Sequence, residues 1–189
     1  IIDPTRINPI AQNYIRANLI PVAPTGQLNS QENAQVSSDE VTGKLDIEVS
    51  SKDRMAVTFG WDRLHFFNPY PFANLPGFAG TSDFGDLFTT FGWTHIISPN
   101  VLNDFRLSFQ RATTRQEMPA ENLPTPADLG IGITPDIPSG PPNLVFDFGA
   151  LALGGGAQGP SHLTNNTYAF SDTLSWVHGR HSWKFGGGF

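Results

Sequence analysis

The sequence predicts an all-β protein: an antiparallel up-and-down meander of about six long strands, part of a transmembrane β-barrel, with one short helix near the N-terminus. Three observations predict it. Apolar and polar residues alternate with period two, and successive strand side chains point to opposite faces. The alternating stretches run to roughly ten to fourteen residues, where globular strands average about 5–6 and a tilted bilayer crossing takes about 9–11. Short turns near 51–53, 98–100 and 178–180 alternate strictly with long connections near 66–83 and 114–165. In a meander, all the short turns then fall at one end of the sheet and all the long loops at the other, the layout of outer-membrane barrels.

Composition sets the outer bounds. The 189 residues carry 19 Gly, 16 Pro and 15 Phe, and only 15% are charged, against about 25% in an ordinary domain. The net charge of -6 and the absence of a basic stripe argue against nucleic acid as a partner. There is no Cys, hence no disulfide framework. No apolar run approaches the ~20 residues of a transmembrane helix. The chain opens on Ile1 and closes on Gly186-Gly187-Gly188-Phe189. It reads as an internal barrel fragment of something longer, with any signal sequence expected upstream.

Residues 1–40 form a helix and loop segment. Asn8-Pro9 offers a cap and a proline at the first helical position, and Ile10, Tyr14, Ile15 and Leu19 recur at helical spacing before Pro21. Residues 41–114 hold four barrel strands. Val41, Gly43, Leu45, Ile47 and Val49 alternate with Thr42, Lys44, Asp46, Glu48 and Ser50. After a short turn, Met55, Val57, Phe59 and Trp61 continue one face of a hairpin. The aromatic, Pro- and Gly-rich residues 66–83 form an external loop. A third strand, about 84–97, has its alternation blurred at Phe88 and Thr89. Ser98-Pro99-Asn100 turns into a fourth strand. There Val101, Phe105, Leu107 and Phe109 share an apolar parity and Asp104, Arg106 and Gln110 a polar one. The apolar set is expected to face lipid and the polar set the lumen.

Residues 115–165 form a long external loop, and connections beyond about 15 residues are mostly functional or disordered. Within it, 143–148 and 150–153 are candidates for local structure. Residues 166–189 form a barrel hairpin: Tyr168, Phe170, Leu174 and Trp176 share one face, and Asp172 is a misfit on it. Trp93, Trp176 and Trp183 each lie within five residues of a short turn, where a membrane barrel carries an aromatic girdle.

Four stretches carry a resemblance. They are VTGKLDIEVSSKDRMAVTFGWDR, GWTHIISPNVLNDFRLSFQR, the loop piece ADLGI and TYAFSDTLSWVHGRHSWKFGGGF. Asn103-Asp104-Phe105-Arg106 follows a Ser-Pro-Asn turn, and Asp172 through Gly186 forms a Trp- and His-containing hairpin motif that also takes in the misfit Asp172. Together these resemble the barrel of TonB-dependent outer-membrane receptors of the Oar-like type. The resemblance implies import of a ligand across the bacterial outer membrane, through a plugged barrel powered by the TonB complex acting on the plug. Plug, TonB box and regulatory-like domain lie outside this chain. The implied partners are outer-membrane lipid, the TonB complex and a small-molecule, carbohydrate or peptide ligand. Phe72 and Phe78 in the first long loop, and Phe146 and Phe148 in the second, are the candidate ligand contacts. The rival reading is a soluble all-β carbohydrate-binding or adhesion module. It accounts for the alternation and the aromatics but not for the alternating connection lengths.

Enzymatic chemistry is not expected. His178 and His181 sit three apart across a turn, but metal sites need three or four ligands with support behind them. Gly154-Gly155-Gly156 lacks the Lys-Ser/Thr of a nucleotide loop. No G-x-S-x-G elbow is present. The sequence thus predicts no catalytic residue, no cofactor and no metal.

Overall fold

A computed structural model describes residues 3–118, 122–137, 140–146, 151–156 and 159–189. Six strands form one sheet in the order β1-β2-β3-β4-β7-β8. They are β1 (Gln35–Glu48), β2 (Asp53–Asn68), β3 (Gly80–Ser98), β4 (Val101–Glu117), β7 (Ser161–His178) and β8 (His181–Gly188). Every neighbour in the sheet is the next strand in sequence except β4–β7. Between those two lies a separate hairpin of β5 (Leu144–Phe146) and β6 (Leu151–Leu153). The sheet is not closed in this chain.

The strands reach past the alternating stretches. β1 begins six residues before Val41, β3 begins at Gly80 rather than 84, and β7 begins at Ser161 rather than 166. Pairing continues there because polar cross-strand contacts replace alternation: the His65 ring Nδ1 lies 2.8 Å from the Asp83 carboxylate, joining β2 to β3. The connections are correspondingly shorter than the loops read from composition.

Helix α1 (Pro9–Arg16) forms where the cap signal lies: the Asn8 side chain accepts from Ile10 N–H, and Pro9 occupies the first turn. It stops at Arg16, before Pro21. Asn18 adopts φ 54 and turns Leu19 back into the core.

The hairpin ends follow local chemistry. Between β1 and β2, the Ser50 hydroxyl donates to Asp53 Oδ2 at 2.6 Å and accepts from the Lys52 and Asp53 N–H groups. Between β7 and β8, Gly179 takes φ 60, the first-position glycine that two-residue hairpins use so that the turn follows the strand twist. The register then sets Trp176 opposite Trp183 and His178 opposite His181.

Contacts divide the chain into two compact units, one of residues 38–64, 84–114 and 163–189, the other of 1–37, 65–83 and 115–162. The first is the body of the sheet. Its apolar residues stay uncovered: Leu45, Phe59, Trp61, Leu107, Tyr168 and Phe185 are all exposed. The second carries the buried core: Tyr14, Leu19, Ala73, Leu75, Phe78, Leu129 and Leu153, flanked by Ile20, Leu123, Ile131, Leu144 and Leu151.

Candidate functional site

Two regions present concave surfaces: the polar face of the sheet, and the unit of 1–37, 65–83 and 115–162. On the polar face an open trough of about 510 Å³ is lined by Lys44, Arg54, Thr58, Thr94, Asp104 and Arg106, among others. Its charges are paired along the wall. Lys44 meets Asp46 at 3.0 Å, Arg54 meets Glu48 at 2.7 Å, and Arg106 meets Asp104 at 2.8 Å. Thr94 donates to Asp104 at 3.1 Å and Gln110 to Asp86 at 2.7 Å. Exposed pairs of this kind contribute little energy. What they do is neutralise the wall locally, so the trough presents hydrogen-bonding groups rather than a field of one sign.

Phe88 explains the blurred alternation of β3. A Cβ placed on Gly60 would overlap the Phe88 ring, so the ring lies across the neighbouring strand over a glycine. This is the covering of a sheet glycine by an aromatic that restores packing. Thr89 sits on the opposite parity and donates to the Thr58 carbonyl at 3.2 Å. Asp172 is also accounted for. The Asn103 amide donates to its carboxylate at 2.8 Å across β4–β7, so the two polar residues on the apolar parity satisfy one another.

In the loop unit, Thr125-Pro126-Ala127-Asp128 is a capping box around one helical turn. Thr125 N–H and hydroxyl both donate to Asp128 Oδ2, at 2.9 and 2.7 Å, and Asp128 N–H donates to the Thr125 hydroxyl at 3.2 Å. Leu129 N–H closes the turn on the Thr125 carbonyl. Gly130 at φ 79 then ends it, with Ile131 N–H reaching back to the Pro126 carbonyl at 2.8 Å, a glycine-terminated stop. The turn delivers Leu129, 1% exposed, into the core. The Thr125 side chain and then its N–H hold the Asp128 carboxyl below the usual carboxylate range. Helix α1 is tied to the same turn, since the Asn13 amide donates to the Leu129 carbonyl at 3.1 Å. Burial pushes the Tyr14 phenol up, and its hydroxyl meets no hydrogen-bond partner among the described residues.

Beside the turn lies a cleft of about 560 Å³ whose lining includes Pro126, Ile133, Pro135, Asp136, Pro142 and Asn143. A smaller one of about 240 Å³ adjoins it at Thr125, Ile133 and Pro135. Proline rings make these walls mostly apolar, with Thr125, Thr134, Asp136 and Asn143 as polar side chains.

A family model described as an outer membrane beta barrel domain matches residues 1–189. The chain belongs to this family of outer-membrane β-barrels. No curated protein and no solved structure matches it. Membership over the whole length decides between the two readings of the sequence: the barrel stands, in the bacterial outer membrane, and the soluble module does not.

The barrel's four expected ligand contacts fare differently. Phe78 is 2% exposed and belongs to the loop-unit core, so its ring holds the loops together and offers no contact surface. Phe72 is half-buried and packs with Met118 against Gly156, while its carbonyl accepts from Asn143 at 3.4 Å. Phe146, on β5, is exposed. Phe148 lies outside the described residues. The prolines and glycines of the clefts were not singled out in the sequence. The Thr-Pro-x-Asp capping box was the available signal for the turn that fixes one of their walls.

Proposed function

We propose that this barrel segment belongs to a TonB-dependent transporter of the Oar-like type, which imports a ligand across the outer membrane. The observation that supports this reading is the packed loop unit. A barrel that only anchors or leaks has no need of long connections that share a core with helix α1 and carry clefts. A receptor needs such preformed concave surfaces, because a pre-ordered site spares the entropy of ordering loops on binding. In this reading the clefts and Phe146 meet the ligand first, and mostly apolar walls with a few polar groups suit a carbohydrate or a peptide. The apolar parity, with Val101, Phe105, Leu107 and Phe109, faces outer-membrane lipid. The polar parity, with Asp104 and Arg106, faces the lumen. The self-neutralised lumen wall agrees with a barrel filled by a plug, since it sets up little field to draw free ions through. Energy comes from the TonB complex pulling on that plug, and no residue of the wall carries out a chemical reaction.

The test is uptake by cells producing the full-length protein, with saccharide and peptide mixtures offered to strains with and without a working TonB complex. The proposal expects uptake only where both the protein and TonB are present. Equal uptake without TonB would make the barrel a passive pore and end the proposal.

A further inference from the structure

Three strands carry the same two-ring order near the short turns. On β3 Trp93 is followed by His95, on β7 Trp176 by His178, and on β8 His181 precedes Trp183. Because β8 runs opposite to β3 and β7, the imidazole is on the turn side of the indole in all three. The rings touch: centroids are 5.5 Å apart for Trp93–His95, 5.3 Å for Trp176–His178 and 6.2 Å for His181–Trp183. The register sets Trp176 against Trp183 and His178 against His181. The β7–β8 end therefore sets two Trp–His ring pairs side by side in register, imidazoles on the turn side of the indoles, with Arg180 in the turn itself.

The two hairpin ends differ in what the imidazoles meet. His95 Nδ1 lies 2.6 Å from the Asp53 carboxylate, which also accepts from Trp93 Nε1 at 3.2 Å. That end is electrically closed. At the β7–β8 end neither imidazole nor Arg180 forms an ion pair among the described residues. The nearest carboxylate on the same face along β7 is Asp172, six residues from His178 and bound by the Asn103 amide. Lys184 pairs with Ser175 in register and stands on the other face. Asn100, on the β3–β4 turn, contributes its backbone carbonyl, which accepts from Val177 N–H.

We propose that the β7–β8 turn binds the phosphate of an anionic phospholipid in the periplasm-facing leaflet. Short turns of outer-membrane barrels face the periplasm, and indoles settle at the headgroup level. An imidazole one step further toward the turn then lies at the depth of the lipid phosphates. Arg180 supplies a planar fork for phosphate oxygens, and the imidazole N–H groups donate from either side. Charge selects the headgroup. An uncompensated guanidinium and two imidazoles favour phosphatidylglycerol, whereas the cation of phosphatidylcholine sets its own positive charge beside them.

The test uses the full-length barrel in phosphatidylcholine vesicles containing a minor fraction of either brominated phosphatidylglycerol or brominated phosphatidylcholine. Tryptophan quenching is read at neutral pH. The expected result is excess quenching by the brominated phosphatidylglycerol, a preference of about fivefold for the one guanidinium at the headgroup. The excess disappears in the W176F/W183F variant, which removes the reporters, and in H178Q/R180Q/H181Q, which removes the donors. Equal quenching by the two lipids in the wild-type protein overturns the proposal without any variant. So does a preference that survives H178Q/R180Q/H181Q in protein whose folded, heat-modifiable gel mobility is intact.

Discussion

Leu129→Ala tests whether the long connections of this barrel form one cooperative unit or several independent loops. Leu129 is 1% exposed and packs among Tyr14, Leu19, Phe78 and Leu153, which come from three other parts of the chain. Truncation removes apolar volume worth about 2–2.5 kcal/mol of transfer energy and leaves a cavity, for a total of about 3–4 kcal/mol. At about 1.4 kcal/mol per factor of ten, that is a rise of roughly two to three orders of magnitude in the rate of any amide exchange that requires the unit to open. The reporters are defined. Leu129 N–H bonds to the Thr125 carbonyl, Ile131 N–H to Pro126, and, on α1, Gln12 N–H to Asn8 and Ala17 N–H to Asn13. Hydrogen exchange on the full-length barrel in vesicles should show all four accelerating together, while amides in the middle of β2 and β3 stay protected. Acceleration confined to 129–131, with Gln12 and Ala17 unchanged, would refute the shared core. So would a change below tenfold.

Three further outcomes follow from the geometry. Gly60→Ala should destabilise the sheet by about 1–3 kcal/mol, because the new methyl must displace the Phe88 ring; G60A/F88A should recover part of that loss in urea-dependent folding into vesicles, and an equally unstable double variant would mean the ring is not the obstacle. Asn103→Leu leaves Asp172 without its donor on the apolar face and should cost about 1–3 kcal/mol, the penalty of orphaning a charged hydrogen-bonding group; N103L/D172L should be close to wild type, and additive single effects in that cycle would deny the contact. The Thr125–Asp128 turn should loosen in acid: the folded carboxyl titrates below its unfolded value, so its contribution is full above about pH 4 and lost as pH falls through the lowered value. Exchange protection at Leu129 should then fall as pH drops below about 4, and Thr125→Val, lacking the hydroxyl, should abolish most of that dependence.

The strands were legible because a period of two is a local signal, written residue by residue along Val41–Ser50 or Val101–Arg111. The strand tips were not, because there the ladder is kept by pairs such as His65–Asp83 that obey no parity rule. Asp172 shows the same limit more sharply: its place on an apolar parity makes sense only with Asn103, which is distant in sequence. The loop core was hidden for a related reason. Phe78 and Leu129 sit in polar, Pro-rich context, and only the folded chain brings them together, so Phe78 looked like an exposed aromatic when it is a central packing residue. Local chemistry inside the long loop was readable in principle, as the β5–β6 hairpin and the Thr-Pro-x-Asp turn attest. Which ligand the clefts accept was not, since rings and prolines pack against many surfaces.

The strand order carries a consequence for the time course of assembly. β1–β2, β2–β3, β3–β4 and β7–β8 join sequence neighbours through short or moderate connections and can zip as hairpins on a timescale of microseconds. β4–β7 has to wait for residues 118–160 to bring its ends together. Entropy barely penalises that length, since each doubling of a loop costs only about 0.6 kcal/mol, but search time lengthens as pairing becomes less local. The Asn103–Asp172 and Arg111–Asn166 hydrogen bonds both straddle this one seam, so they latch the two halves of the sheet at its least local pairing. Substitutions there should slow membrane insertion more than they lower the stability of the finished wall.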